Sequence, residues 1–134
     1  MQPAVVIGID YGTKQIGLAV GETLCETVTG LRVISAEESV LWEALDKVHQ
    51  QWQPEAWVVG LPLTSDGREQ KITKLVRLFA HNLKQRYDKD VHLVDERWSS
   101  AEARTRLKSH RNEKNRVDVM SAVVILEQWL GVSH

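Results

Sequence analysis

The stretch VVIGIDYGTKQIGLAVG, residues 5 to 21, decides the fold of this chain. Residues 5–10 form an apolar run that ends on an acid, and residues 16–20 form a second apolar run. Two short apolar runs joined by a glycine-containing turn predict two paired β-strands. Residues 26–34, rich in threonine and valine, predict a third strand. The chain should therefore open with an antiparallel meander of three strands.

After residue 34 the spacing of apolar residues changes from that of strands to that of helices. The sequence SAEE at 35–38 has the pattern of a capping box, and a helix should run from there to Pro54. Apolar runs at 56–59 and 91–94 predict two more strands. A helix should lie between them, entered through the turn at 65–67, and two helices should follow, the last over 116–130.

The predicted order, β-β-β-α-β-α-β-α-α, is typical of a single α/β domain spanning residues 1–134. Strands separated by helices pair in parallel. We therefore expect a mixed five-stranded sheet, a three-strand antiparallel meander plus two parallel strands, flanked by helices. The first and last strands could then be neighbours.

The amino-acid composition indicates only a broad class of protein. The chain has 134 residues, 43% hydrophobic and 26% charged, with a formal net charge of −1, which is typical of a globular protein. It has one cysteine and no apolar run of bilayer length, so we expect a cytoplasmic protein without a membrane segment. Because the overall charge says nothing about a polyanionic partner, local charge has to be considered instead.

Acids stand at the ends of three predicted elements. Asp10 closes the first strand, Asp95 and Glu96 close the last, and Asp118 opens the final helix. Any one of them could simply start a turn or interact with a helix dipole. Ligands of open α/β sheets gather at the carboxyl ends of the strands, however, and acids that converge there repel one another unless cations neutralise them. Neighbouring strand residues point to opposite faces, so the role of Asp95 stays open.

Three converging carboxylates without histidine or cysteine suit Mg²⁺ or Mn²⁺. Such ions can stabilise the attacking and leaving oxygens of phosphodiester hydrolysis. Asp10, Glu96 and Asp118 are therefore the candidate catalytic and metal-binding residues. Gly12 would leave room for a substrate backbone, and Lys14 could reach a phosphate.

Residues 104–116, RTRLKSHRNEKNR, should form a basic rim beside these acids, a distribution that favours a nucleic-acid backbone. Its alternative is an ordinary solvated loop. The candidate substrate-binding residues of this rim are Arg104, Arg106, Lys108, Arg111, Lys114 and Arg116.

Four motifs together resemble the YqgF family: DYGTKQIGLAVG (10–21), VVGLPL (58–63), DERWSSAEA (95–103) and VDVMSAVVILEQWL (117–130). The resemblance implies an RNase H-like fold and a metal-dependent nuclease that matures the 5′ end of pre-16S ribosomal RNA. It implies that Asp10, Glu96 and Asp118 hold the metal. It adds Thr13 and Arg97 to the residues that bind substrate, and it implies that Lys14, Gly60, Pro62 and Ser121 are also parts of the site.

Other functions remain open at this point. The chain could be a Holliday-junction resolvase in DNA recombination or repair, but related RuvC-type resolvases carry a further acid where this chain has Ser121. It could also be a non-catalytic nucleic-acid-binding factor in transcription or ribosome assembly. The phosphate-binding hairpin of sugar kinases and actin-like ATPases is similar to DYGTKQIG as well, although those proteins use two such domains. We expect a monomer or a weak dimer that acts on structured RNA or branched DNA.

Overall fold

A computed structural model of the chain describes residues 4–96 and 114–131. None of the helices in these ranges is long and apolar enough to cross a membrane. The elements are β1 Val5–Tyr11, β2 Gln15–Glu22, β3 Thr27–Ser35, α1 Glu38–Trp52, β4 Ala56–Leu61, α2 Lys71–Tyr87, β5 Asp90–Asp95 and α3 Lys114–Leu130.

The strands form one five-stranded sheet in the order β3-β2-β1-β4-β5. Strands β1, β2 and β3 pair antiparallel, and β4 and β5 extend the sheet in parallel. This confirms the predicted meander plus two parallel strands. The expectation that the first and last strands are neighbours was wrong, because β4 lies between them. Strand β4 is apolar and almost wholly buried, as a central strand should be, whereas β5 has exposed residues and forms an edge.

The two faces of the sheet are covered in different ways. Helices α1 and α2 share one face, where large side chains such as Ile7, Leu18, Trp57 and Phe79 interdigitate. Among the elements that the structure describes, helix α3 covers the other face, and its middle, from Ser121 to Glu127, is buried. This confirms that the last helix, apolar almost all round, lies deep in the protein.

Glycines on the strands let α3 lie unusually close to the sheet. A Cβ atom on Gly17 would overlap the carbonyl oxygen of Asp118. One on Gly30 would lie 2.5 Å from Val119 Cγ1, and one on Gly8 would lie 2.8 Å from Leu126 Cβ. Side chains at these positions would push the helix away. We call Gly8, Gly17 and Gly30 the glycine bed of α3, because they set the height at which the helix lies.

The capping box predicted at 35–38 was wrong. Ser35 is the last residue of β3 and pairs with Gln15 of β2, so its backbone belongs to the sheet. Its hydroxyl accepts a hydrogen bond from the Glu37 N–H at 3.1 Å, and α1 begins at Glu38. Pairing with a neighbouring strand has overridden the local capping preference at this position.

The predicted helix entry at 65–67 was also wrong. The backbone N–H of Thr64 donates to the Arg68 carbonyl at 2.9 Å, and Gly67 takes a positive φ of 88°. These residues form a tight hairpin, and α2 begins only at Lys71. The Gln70 N–H donates to the Thr73 hydroxyl at 2.9 Å, so the helix start is satisfied by Thr73.

Candidate active site

The site lies at the carboxyl ends of β1, β4 and β5, where two acidic side chains meet. Asp10 stands near the end of β1, and Glu96 follows β5 directly. The Glu96 N–H donates to the Leu61 carbonyl at 3.1 Å, which ties the residue to the end of β4. The carboxyl groups of Asp10 and Glu96 are hydrogen-bonded to each other although a whole strand separates β1 from β5.

Gly60 is what makes this contact possible. A Cβ atom on Gly60 would lie 3.0 Å from Glu96 Cδ, 3.1 Å from Glu96 Cβ and 2.5 Å from Ile125 Cδ1. The Glu96 side chain therefore lies across β4 in the space that a side chain at position 60 would fill. A glutamate on the edge strand thereby reaches an aspartate on the central strand.

Burial is the largest cause of a raised pKa in both acids. Burial raises the pKa of Asp10 to about 6, aided by the charge of Asp118 and partly offset by the hydrogen bond with Glu96. Burial also raises the pKa of Glu96, to about 9, and the charge of Asp10, their hydrogen bond and the charge of Asp95 add to the rise. At neutral pH the pair therefore holds one proton, which the two carboxyl groups share in their hydrogen bond.

Asp118 approaches the pair from α3. Its side chain is half-buried, and its charge is close enough to raise the pKa of Asp10. Asp118 also lines a cavity of about 330 Å³ together with Gly12, Thr13, Lys14 and Gln15. The turn between β1 and β2 thus faces the start of α3 across an open space beside the acids.

The tight turn between β1 and β2 requires glycine at position 12. A Cβ atom on this residue would lie 2.5 Å from the Gln15 carbonyl oxygen, so the turn can close this tightly only with glycine. The suggestion that Gly12 also makes room for a substrate backbone stays a prediction.

Asp95 does not share the position of Glu96. Its side chain is exposed, whereas that of Glu96 is half-buried over Gly60. The alternation of side chains along β5 accounts for this difference. The charge of Asp95 contributes to the raised pKa of Glu96.

Among residues 4–96 and 114–131, no three His, Cys, Asp or Glu side chains are already arranged as a metal-binding group. Asp10 and Glu96 instead bind each other, with Asp118 beside them. The donor set nevertheless fits a hard divalent cation, because it consists of carboxylate oxygens alone. It also concentrates negative charge in a partly buried space, which a cation would neutralise.

The predicted basic rim and Arg97 fall outside the part of the chain that the structure describes. The same holds for the first of the two helices predicted after the last strand and for the side chains of Lys114 and Arg116. The residues concerned are Arg97, Arg104, Arg106, Lys108, Arg111, Lys114 and Arg116. Their contact with substrate stays a prediction.

Reasoning from residue types alone missed two residues of the site. Gln15 lines the cavity beside Asp118, and its Oε1 atom is buried without a hydrogen-bond partner among the described residues. Gly60 entered only through the resemblance of VVGLPL. The available signal was an isolated glycine at the end of an otherwise apolar strand, which often marks a close approach.

Comparisons with known proteins give the site a context. The family model described as "RuvX: Holliday junction resolvase" matches residues 4–131. A protein of Aeromonas hydrophila subsp. hydrophila named "Putative pre-16S rRNA nuclease" is 43% identical over 97% of this chain and 96% of its own length. A protein of Edwardsiella ictaluri with the same name is 41% identical over 96% of both chains.

Solved structures with little sequence identity share the fold. RuvC of Thermus thermophilus, in complex with a Holliday junction substrate, aligns with a TM-score of 0.59 over 97% of this chain and 98% of that one, at 16% identity. The yeast mitochondrial Holliday junction resolvase Ydc2 aligns with a TM-score of 0.56 over 93% and 77%, at 10% identity. Both support the predicted RNase H-like fold. The chain therefore belongs to the RuvX family, also called YqgF, and is a nuclease, a hydrolase of phosphodiester bonds.

Proposed function

We propose that this nuclease is metal-dependent and matures the 5′ end of pre-16S ribosomal RNA in the bacterial cytoplasm. The observation that carries the proposal is the hydrogen-bonded pair of Asp10 and Glu96. Two acids with raised pKa values at the carboxyl ends of the strands, beside an open cavity, are typical of a functional site. The names of the relatives from Aeromonas and Edwardsiella supply the substrate.

Asp10, Glu96 and Asp118 would hold Mg²⁺ or Mn²⁺. When bound, the cation would supply charge stabilisation and a water activated for attack on phosphorus. The chain's own part begins with Asp10 and Glu96, which give up the hydrogen bond and the proton that they share. Hydrolysis would leave a 5′-phosphate and a 3′-hydroxyl.

The turn between β1 and β2 would bind the substrate backbone. Thr13 and Lys14 are exposed and line the cavity that Asp118 closes on its other side. A hydroxyl and an ammonium group in this position can donate to a phosphate beside the scissile bond. Arg97 and the basic residues of 104–116 would contact phosphates farther along the strand.

A second candidate is cleavage of a four-way DNA junction, which the description of the matching family favours. A resolvase must cut two strands symmetrically and should therefore be a dimer. We propose a monomer or a weak dimer, and structured RNA as the substrate, because the relatives that are 41% and 43% identical to this chain are named for RNA.

Cleavage assays with matched variants test the proposal. The wild type, Asp10→Asn and the control Asp95→Asn are incubated with a 5′-extended precursor of 16S RNA and with a four-way DNA junction, each with Mn²⁺, Mg²⁺ or EDTA. We expect RNA cleavage that needs the metal, disappears in Asp10→Asn and persists in Asp95→Asn, whose side chain is exposed.

Cleavage of the junction alone would favour the resolvase. Binding of RNA without cleavage, unchanged in Asp10→Asn, would overturn the catalytic proposal and leave a binding factor for transcription or ribosome assembly.

A further inference from the structure

Ser121 is a buried residue of α3, the helix that also carries Asp118. Ser121 is fully buried on α3, one helical turn after Asp118 and one turn before Ile125. The Ile125 Cδ1 atom and the Glu96 side chain both lie close to Gly60. Because residues three and four apart share one helix face, Ser121 lies on the face between Asp118 and the Glu96 carboxyl group.

The Ser121 hydroxyl has no hydrogen-bond partner among the described residues. Among the described residues, two other polar residues are buried, Thr73 and Glu127, and both have interaction partners. The Thr73 hydroxyl donates to the Pro62 carbonyl and accepts from the Gln70 N–H, and Glu127 has an interaction of its own. Ser121 is thus the exception among them.

Packing alone does not account for a serine at this position. An unpaired buried hydroxyl costs about 1–3 kcal/mol. The neighbouring Ala122 is equally buried and has no polar group, so an alanine at position 121 would avoid this cost. Buried hydroxyls are rarely left unpaired, so the serine at this position needs an explanation other than packing.

We propose that Ser121 is a positioning residue for the metal-binding acids. Its hydroxyl donates a hydrogen bond to a carboxylate oxygen of the Asp10–Glu96 pair when a divalent cation takes the place of their mutual hydrogen bond. That hydrogen bond fixes the orientation of the carboxylate towards the cation, as donors around metal ligands commonly do. The inference rests on the proposed function, because it requires that the acids bind a cation.

Binding of Mn²⁺ measured by calorimetry, without RNA, tests this role separately from cleavage. We expect Ser121→Ala to weaken Mn²⁺ binding by about tenfold, the lower end of the effect of such donors. The melting temperature of the metal-free variant, measured in EDTA, should stay the same or rise. Ser121→Cys retains the size but has a weak donor, so it should also bind Mn²⁺ less tightly. The control Thr73→Val should lower the melting temperature and leave Mn²⁺ affinity unchanged.

A Ser121→Ala protein that binds Mn²⁺ as the wild type does would overturn the role of Ser121 and leave the metal site intact. A lower melting temperature with unchanged Mn²⁺ affinity would identify Ser121 as a core hydroxyl only. If Mn²⁺ does not bind to the wild type, or binds equally to Asp10→Asn, the proposed metal site and the role of Ser121 fail together.

Discussion

Replacing Glu96 by glutamine should stabilise the metal-free protein at mildly alkaline pH. Burial and the charge of Asp10 raise the pKa of Glu96 from 4.5 to about 9. Between these values the folded state binds a proton that the unfolded state releases, so the stability of the wild type falls as the pH rises. Glutamine has nearly the same shape, carries no charge and can donate a hydrogen bond to Asp10.

The size of the effect follows from this pKa shift. At pH 7.5, about three units above the ordinary value of 4.5, keeping the proton costs the folded state up to about 4 kcal/mol, because one unit is worth about 1.4 kcal/mol. Part of this cost is relieved because the side chain is only half-buried and shares its proton with Asp10. We expect a gain of about 1–2 kcal/mol, or roughly 3–8 °C in melting temperature for a chain of this size.

Thermal denaturation followed by circular dichroism in EDTA gives the measurement. The gain of Glu96→Gln over the wild type should be small at pH 5 and should grow towards pH 8. Asp95→Asn, which removes an exposed neighbouring charge, should shift the melting temperature much less. A loss of stability in Glu96→Gln, or a gain of the same size at both pH values, would refute the reasoning that the buried carboxyl pair is costly.

Three further changes test other parts of the structure. Gly60→Ala should displace the Glu96 side chain, abolish Mn²⁺ binding in calorimetry and lower the free energy of unfolding by about 1–3 kcal/mol. Unchanged Mn²⁺ affinity would show that Gly60 does not provide the space for the Glu96 side chain. Lys14→Ala should weaken RNA binding at low salt and reduce the slope of log affinity against log salt by about one, whereas an unchanged slope would show that Lys14 touches no phosphate. Asp46 is hydrogen-bonded to Arg86, which lowers its pKa to about 2, so its contribution to stability is present above about pH 4 and is lost as the pH falls towards 2. Because the pair is nearly half exposed, Asp46→Asn should cost under about 1 kcal/mol in urea unfolding at pH 7, and a larger loss would show that the pair is not screened by solvent.

Hydrophobic patterning predicted the elements and the composition of the sheet but not the order of its strands. The apolar run before Asp10, the helical spacing after residue 35 and the last helix, which is apolar almost all round, each have one reasonable interpretation. The strand that pairs with β1 in parallel cannot be identified in this way, because both β4 and β5 could pair with it. The distinguishing signal was present: β4 is apolar throughout, whereas β5 contains Asp90 and His92, which suit an edge strand.

The identity of the site acids could be predicted, and the way they meet could not. Asp10, Glu96 and Asp118 stand out because they terminate or begin elements. The contact between Asp10 and Glu96 crosses an intervening strand, and it depends on a glycine that leaves space for another residue's side chain. Such long-range steric relations leave no periodic trace in a sequence. The same reason explains why the unsatisfied hydroxyl of Ser121 emerges only from the folded structure.

Because of the glycine bed of α3, the two faces of the sheet differ in how well they tolerate substitutions. Beneath α1 and α2, large apolar side chains can exchange volume with one another, so sequences can drift there while the total volume is kept. Beneath α3 there is less volume to exchange, because the cluster there contains small residues such as Ala19 and the helix backbone itself lies against Gly17. The helix that carries Asp118 is therefore held at a height that mutations on the opposite face of the sheet do not change. The side of the sheet that carries Asp118 can stay constant while the other side evolves.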